Sequence, residues 1–129
     1  MANLTQEQIE YLSQLMDERL TYSLDELERS SDERYRGAFA GRAPDQLDEA
    51  LTEMAQAMDD AILKKHIEDV RDITAARKRI AARNYGVCID CGGEIGYERL
   101  LAYPTAKRCI QCQREHEKRK ALREGHTIL

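Results

Sequence analysis

The 129-residue sequence is poor in aromatic residues, which make up 5% of the chain, and it contains no tryptophan. Charged residues account for 34% of the chain, against about a quarter in ordinary globular domains. A chain with this composition cannot build a large compact core. It favours long helices that each bury a narrow apolar stripe, together with a small module held by a metal ion.

Signals for secretion and for membrane insertion are also missing. The N-terminal residues have neither the basic start nor the apolar stretch of a secretory signal. No apolar run approaches the roughly 18 residues of a transmembrane candidate. The sequence therefore predicts a cytoplasmic protein, a compartment in which cysteine pairs are more often metal ligands than disulfides.

The net charge of −4 is unevenly distributed along the chain. Residues 1–60 carry 15 acidic and 5 basic side chains, whereas residues 61–129 carry 9 acidic and 15 basic ones. Phosphate binding depends on clustered cations, so the acidic half argues against a protein that lies along nucleic acid over its whole length. The basic half still allows contact with DNA or with an acidic protein surface.

The four cysteines form two C-x-x-C pairs, Cys88 with Cys91 and Cys109 with Cys112, separated by seventeen residues. Pairs at this separation can place four thiolates around one tetrahedral zinc ion. Four sulfurs leave no coordination position for a substrate water, so the pattern predicts one structural Zn²⁺. Two disulfides, a redox switch, or a site in which His116 replaces one sulfur are the other interpretations.

The residues around the cysteines predict a compact finger. Gly92 and Gly93 are expected to supply the positive φ angles of the turn after the first pair. The highly charged segment 113–124 predicts a short basic C-terminal helix. The apolar residues between the pairs are expected to pack a small ribbon, and they are Ile95, Leu100 and Leu101.

A capping box of Thr5 and Gln8 predicts the start of a first helix that continues to about residue 35. A second helix is predicted from Asp45 to about Asn84, about 60 Å at 1.5 Å per residue, with Gly86 as its left-handed cap. Apolar residues recur every three or four positions in both helices. They are Ile9, Leu12, Leu15, Met16, Leu20, Leu24 and Leu27 in the first, and Leu51, Met54, Met58, Ile62, Val70, Ile73 and Ile80 in the second.

These elements predict a mainly α fold, in which a long antiparallel coiled-coil hairpin over residues 1–86 joins a four-cysteine zinc finger and a short C-terminal helix over residues 87–129. His66 is interpreted as a residue of the seam between the two helices. The second helix begins with the pattern Asp-x-x-Asp-x-Ala, formed by Asp45, Asp48 and Ala50. Acids in a first turn stabilise the helix dipole, but carboxylates at the end of a rigid arm can also be delivered to a distant site.

The acidic motif and the finger together resemble the DksA/TraR family of bacterial regulators, whose members carry a coiled-coil hairpin with an Asp-x-x-Asp-x-Ala tip followed by a four-cysteine finger. The resemblance includes the Tyr-Gly before Cys88 and the Cys-Gly-x-Glu-Ile-Gly that starts at Cys91, and it covers about residues 40–115. It implies that Gly92, Arg99 and Pro104 support the finger.

The resemblance also implies a function. Family members insert the coiled coil through the secondary channel of RNA polymerase and place the acidic tip near the catalytic magnesium, which would be the role of Asp45, Asp48 and Ala50 here. Some members share with polymerase a site for the alarmone ppGpp. The matching positions here are Lys65, Asp72, Tyr103 and Gln113, and the loss of three cations argues against ppGpp binding.

Two other classes of function stay open from the sequence. One is a DNA-binding zinc module, and the other is a zinc-stapled redox sensor or scaffold without polymerase contact. An enzyme is disfavoured, because the thiolate site lacks a water position and no pair of nucleophile and base is evident. The residues of the DNA-binding alternative are Arg108, Arg114, Lys118, Arg119 and Lys120.

Overall fold

The structure, a computed structural model, describes residues 3–30, 44–57 and 59–124. Within these ranges the protein is mainly helical, as predicted, and an isolated antiparallel bridge joins Val87 to Glu94. No helix in the described ranges is both long and apolar enough to span a membrane. The helices are α1 (Gln6–Ser30), α2 (Pro44–Ala57), α3 (Ala61–Ala81), α4 (Tyr97–Ala102) and α5 (Ile110–Arg123).

The start of α1 confirms the predicted capping box. The backbone N–H of Gln8 donates to Thr5 Oγ1 at 3.1 Å, and the N–H of Thr5 donates to Gln8 Oε1 at 2.9 Å. Both contacts satisfy backbone donors that have no partner inside the helix. The predicted end of this helix near residue 35 lies outside the described residues.

Helices α1 and α3 form the predicted antiparallel hairpin. Ser23 near the end of α1 meets His66 near the start of α3, with 3.3 Å between Ser23 Oγ and His66 Nδ1. Asp17, earlier in α1, pairs with Arg77, later in α3. The ring of Tyr22 lies edge-on to His66, with centroids 5.6 Å apart. His66 is therefore a seam residue, as the sequence indicated.

The predicted second helix is not continuous. It is divided into α2 and α3, and α3 has its own N-cap at Asp60, whose Oδ1 accepts from the N–H groups of Ile62 at 2.9 Å and Leu63 at 3.2 Å. An aspartate with extended backbone satisfies the first free donors of a helix, so a new helix starts here. Ile62, predicted to lie in the apolar stripe, is 71% exposed. Met58 lies outside the described residues.

Within the described ranges, two apolar clusters hold the helices and the finger together. The first joins the base of the hairpin to the finger, and it contains Leu12, Met16, Ile73, Ala76, Tyr85, Cys88, Ile95 and Leu100. The second brings α2 onto the hairpin, and it contains Leu27, Leu51, Met54, Ile67 and Val70. The sequence prediction did not include Ile67, although it is buried. Because Leu51 and Met54 are buried in the second cluster, α2 packs beside the hairpin and does not extend it.

Hydrogen bonds connect the end of α3 to the finger. Tyr85 is fully buried and its hydroxyl donates to the carbonyl oxygen of Pro104 at 2.7 Å. Arg79 Nη2 donates to the carbonyl oxygen of Thr105 at 3.1 Å. Gly86 has the predicted left-handed conformation, with φ of 85°. A Cβ atom there would lie 2.8 Å from Leu4 Cδ1, so a larger residue would also displace the end of the Leu4 side chain.

Replacing Tyr85 with phenylalanine should lower the free energy of unfolding by about 1 kcal/mol, because the donor to Pro104 is lost. Burial raises the pKa of Tyr85 to about 12, so the phenol ionises less readily in the folded chain than in the unfolded chain. The resulting stability is complete below about pH 10 and is lost as the pH rises toward 12. Thermal melting from about pH 9 to pH 12 should show this loss in the unmodified protein and a smaller loss in Tyr85→Phe.

Tyr11→Phe is the matched control, since Tyr11 is 49% exposed. That variant should follow the unmodified protein across the pH range. Equal pH dependence in Tyr85→Phe and the unmodified protein would exclude the raised pKa of the buried phenol as a source of stability, and equal stability below about pH 9 would exclude a stabilising hydrogen bond to Pro104.

The segment between the cysteine pairs differs from the predicted ribbon. Ile95 and Leu100 are buried as expected, but residues Tyr97–Ala102 form the short helix α4 and Leu101 is 39% exposed. The backbone of Gly96, with φ of 98°, leads the chain into this helix. The C-terminal helix α5 is confirmed, and it begins earlier than predicted because Cys109 is its N-cap.

Candidate functional site

The four cysteine sulfurs converge on one point. Cys88 and Cys91 lie in the turn after Tyr85, while Cys109 is the N-cap of α5 and Cys112 lies in its first turn. All four Sγ atoms lie within 4.8 Å of one another, and the Sγ atoms of Cys91 and Cys109 are 3.9 Å apart. Tetrahedral zinc with Zn–S bonds of about 2.3 Å requires sulfurs about 3.8 Å apart. The donor set therefore fits zinc.

The surroundings of the sulfurs shift the pKa values of Cys88 and Cys112 in opposite directions. Burial by itself would raise the pKa of the Cys88 thiol, but hydrogen bonds from the backbone of Cys91, Cys109 and Asp90 lower it to about 6. The pKa of Cys112 is raised to about 12, chiefly by its contact with Cys109. Four adjacent thiols compete for negative charge, and a divalent cation removes that competition. The N-terminal end of α5 adds a favourable dipole.

The two glycines after Cys91 serve different purposes. Gly92 has the predicted positive φ of 74°, and its N–H donates to the carbonyl oxygen of Cys88 at 3.0 Å. The prediction of a positive φ angle is wrong for Gly93, whose φ is not positive. The N–H of Gly93 lies 3.4 Å from Cys91 Sγ, and a Cβ atom at Gly93 would lie 3.3 Å from that sulfur. Gly93 therefore provides space beside a candidate metal ligand.

Contacts between the two cysteine pairs involve Arg99, which was predicted to support the finger, and also Asp90 and Arg108, to which the prediction gave no such role. Arg108 Nε donates to Asp90 Oδ2 at 2.8 Å, and the N–H of Ile89 donates to the carbonyl oxygen of Lys107 at 3.0 Å. Arg99 Nε donates to the carbonyl oxygen of Arg108 at 3.1 Å. The sequence signal for the ion pair was a pair of opposite charges. Asp90 lies inside the first cysteine pair, and Arg108 lies just before the second.

The predicted acidic motif lies on α2. Asp48 is exposed and its Oδ1 lies 3.5 Å from Arg71 Nε. Ala50 is buried. Asp45 belongs to α2, but its side chain lies outside the described residues. The motif was predicted to form the far end of a continuous arm, but this placement is wrong because α2 is separate from α3 and Asp48 lies beside Arg71.

The position of Arg71 gives the reason for the correction. Arg71 lies ten residues after the first residue of α3, or about 15 Å along that helix. Asp48 beside it therefore lies on the flank of α3 and not beyond its start. The functional role of the Asp-x-x-Asp-x-Ala motif, formed by Asp45, Asp48 and Ala50, stays a prediction.

An open cleft of about 800 Å³ lies between α3 and the finger. Asp72, Tyr103 and Gln113, three of the positions compared with the ppGpp site, line this cleft, whereas Lys65 is not among its lining residues. Lys65 pairs with Asp69 at 3.4 Å. Burial raises the pKa of the Asp72 carboxyl. The cleft also has basic lining residues, namely Arg71, Arg99, Lys107, Arg108, Arg114 and Lys120.

The basic residues of the DNA-binding alternative do not form one free surface. The side chain of Arg108 is 13% exposed and is occupied by Asp90. Lys118 and Arg119 are exposed on α5, a helix with no buried residues. Arg114 and Lys120 face the cleft beside Glu117.

Comparisons with known proteins agree with this architecture. Residues 83–118 match the family described as prokaryotic dksA/traR C4-type zinc finger. The RNA polymerase-binding transcription factor DksA of Escherichia coli strain K12 is 31% identical over 86 residues, which cover 67% of this chain and 57% of that protein. The protein of the same name from Buchnera aphidicola subsp. Acyrthosiphon pisum is 33% identical over 82 residues, which cover 64% and 54%. This chain thus matches just over half the length of these curated relatives.

A solved structure also resembles most of this chain. The transcription factor DksA2 from Pseudomonas aeruginosa superposes with a TM-score of 0.51 at 26% sequence identity, covering 89% of this chain and 87% of that one. Fold and site together define a helical-hairpin protein with a C4 zinc finger. The chain belongs to the DksA/TraR family, which confirms the resemblance drawn from its sequence.

Proposed function

We propose that this protein is a transcription regulator that binds RNA polymerase directly and modulates initiation through the secondary channel. The observation that carries the proposal is the combination of the α1–α3 hairpin with a C4 finger in a chain that also has the Asp-x-x-Asp-x-Ala motif. The relatives named RNA polymerase-binding transcription factor, and the likeness to DksA2 over most of the chain, support it. A cytoplasmic location follows from this function.

In the proposed mechanism the hairpin enters the channel and the finger stays at its rim. Asp45 and Asp48 act through their charge, which perturbs the loops or metal of the polymerase active site. The apolar cluster at the base of the hairpin, which contains Leu12, Tyr85 and Leu100, and the Tyr85–Pro104 hydrogen bond hold the hairpin against the finger. A fixed junction lets contact at the rim set the position of the hairpin.

One zinc ion held by Cys88, Cys91, Cys109 and Cys112 would be the cofactor, and its role would be structural. Gly92, Arg99 and Pro104 would support the finger through the backbone contacts described above. A saturated thiolate site supplies no position for a reacting water, so we propose no enzymatic activity.

We further propose that regulation does not require ppGpp. The residues at the positions compared with the family site support this, since Asp72 places a carboxyl group there and both Tyr103 and Gln113 are uncharged. Lys65 is the one cation at the four compared positions, and it pairs with Asp69. The basic residues that line the cleft lie at other positions, so the cations that the family site uses to bind a polyanion are not matched here.

The first test of the proposal is retention of purified RNA polymerase core enzyme by the immobilised, zinc-loaded protein. We expect stoichiometric retention that an excess of the free protein abolishes. Duplex DNA offered to the same column should bind weakly, with affinity that falls steeply as salt rises. No retention of polymerase, or tight DNA binding that survives physiological salt, would contradict the proposal and favour the DNA-binding alternative.

A further inference from the structure

Arg71 contacts two residues of α2. Its Nη2 donates to Thr52 Oγ1, and its Nε lies 3.5 Å from Asp48 Oδ1. Thr52 Oγ1 also donates to the carbonyl oxygen of Asp48 at 2.9 Å. These contacts, which we call the Arg71 contact, join α3 to the part of α2 that carries the acidic motif.

The Arg71 contact lies beside the apolar cluster that docks α2. Leu51 and Met54 of α2 are buried against Ile67 and Val70 of α3, one helical turn from Arg71 or closer. A guanidinium group at the edge of an apolar contact is stabilised by a nearby carboxylate. Apolar burial and charge therefore act together to hold α2 on the hairpin.

The docking is incomplete in one respect. Arg71 Nε is buried, and within the described part of the chain it has no hydrogen-bond acceptor of suitable geometry. Its distance of 3.5 Å from Asp48 is that of an ion pair without a good hydrogen bond. An unsatisfied buried donor lowers the stability of the docked arrangement, which favours reversible release of α2.

Release of α2 would leave α3 intact. Asp60 caps α3 through its own side chain, so the start of this helix does not depend on a continuous connection to α2. The hairpin contacts of His66 with Ser23 and of Arg77 with Asp17 also do not involve α2. The division between the two helices therefore permits α2 to move without disruption of the hairpin.

From these contacts we infer that Arg71 is a positioning residue that holds α2 in a closed arrangement, and that Asp48 must leave Arg71 before the acidic motif acts on polymerase. The inference rests on the proposed function. It assigns an autoinhibitory role to the Arg71 contact, because that contact keeps Asp48 on the flank of α3.

The first measurement uses the zinc-loaded full chain without polymerase. Hydrogen exchange of the α2 amides should be about five- to tenfold faster in Arg71→Gln than in the unmodified protein, the effect expected for loss of the hydrogen bond from Arg71 to Thr52. Thr52→Ala should accelerate exchange in the same direction while Arg71 is retained. Arg77→Gln is the matched control, since it removes an Arg–Asp pair of α3 that does not involve α2.

The second measurement uses purified polymerase and transcription in vitro. Arg71→Gln and Thr52→Ala should reach the half-maximal effect at a several-fold lower concentration than the unmodified protein, and Arg77→Gln should not. Unchanged α2 exchange in Arg71→Gln would overturn the inference. Faster exchange without the gain in potency would also overturn it.

Asp48→Asn distinguishes failure of this inference from failure of the proposed function. This variant also weakens the Arg71 contact, so its α2 amides should exchange faster while its effect on transcription is lost. Faster exchange with a full transcriptional effect would overturn both the acidic mechanism and the inference that rests on it. Loss of effect in Asp48→Asn, with no gain in Arg71→Gln, would overturn the inference alone.

Discussion

Replacement of Cys88 or Cys109 by serine should abolish zinc binding and unfold the finger. A structural zinc contributes on the order of 10 kcal/mol to folding, and the few apolar side chains of the finger that are buried, such as Ile95 and Leu100, cannot replace it. Cys88 is itself part of the cluster that joins the finger to the hairpin. Metal analysis should show zinc content falling from about one ion per chain to near zero, and thermal melting should show loss of the cooperative transition of the finger.

His116→Gln is the matched control for the cysteine variants. His116 lies one helical turn after Cys112 on α5, outside the group of four converging sulfurs. This variant should keep its zinc and its melting transition, which would also exclude a site of three cysteines and one histidine. Retention of the complete fold after zinc chelation would contradict a structural role for the metal.

The double replacement Asp45→Asn and Asp48→Asn should abolish regulation of a ribosomal promoter in vitro, with a loss of effect of at least about tenfold, while polymerase binding changes less than about threefold. Asparagine retains the size and hydrogen-bonding oxygen of aspartate but removes its charge, so the variant tests charge itself. Asp48 is 65% exposed, and the substitution should therefore leave the fold intact. Transcription and polymerase binding should be measured on the same preparations.

Glu49→Gln provides the control for general loss of negative charge on α2. Glu49 is exposed and is adjacent to Asp48, but it is not one of the two motif aspartates. It should retain the effect on transcription. An unchanged effect in the double aspartate variant would count decisively against action through the acidic motif.

Features governed by short-range chemistry were predictable from the sequence. The capping box of Thr5 and Gln8 and the apolar stripe of α1 needed only the spacing of residues within one or two helical turns. Convergence of the four cysteines also followed from their spacing, because a C-x-x-C turn orients both of its sulfurs to one side. The antiparallel hairpin followed from two amphipathic helices joined by a loop.

The division between α2 and α3 was missed because helical periodicity does not show whether two consecutive segments lie on one axis. The apolar spacing continues from Met54 to Ile62, yet Ile62 is exposed and Ile67 is buried in its place. Asp60 is a residue type that commonly caps helices, but the sequence around it also has the apolar spacing of an unbroken helix. Two helices form because Leu51 and Met54 of α2 are buried when α2 packs against the hairpin.

By itself, the sequence determined the helical class, the four converging cysteines and the resemblance to the family, because each depends on residue type and local spacing. The tertiary structure alone decided that Asp48 lies beside Arg71 on the flank of α3 and that Asp90 pairs with Arg108 across the finger. Both contacts join residues eighteen or more positions apart. Such contacts depend on how whole elements pack, and the spacing of residues within one element carries no information about them.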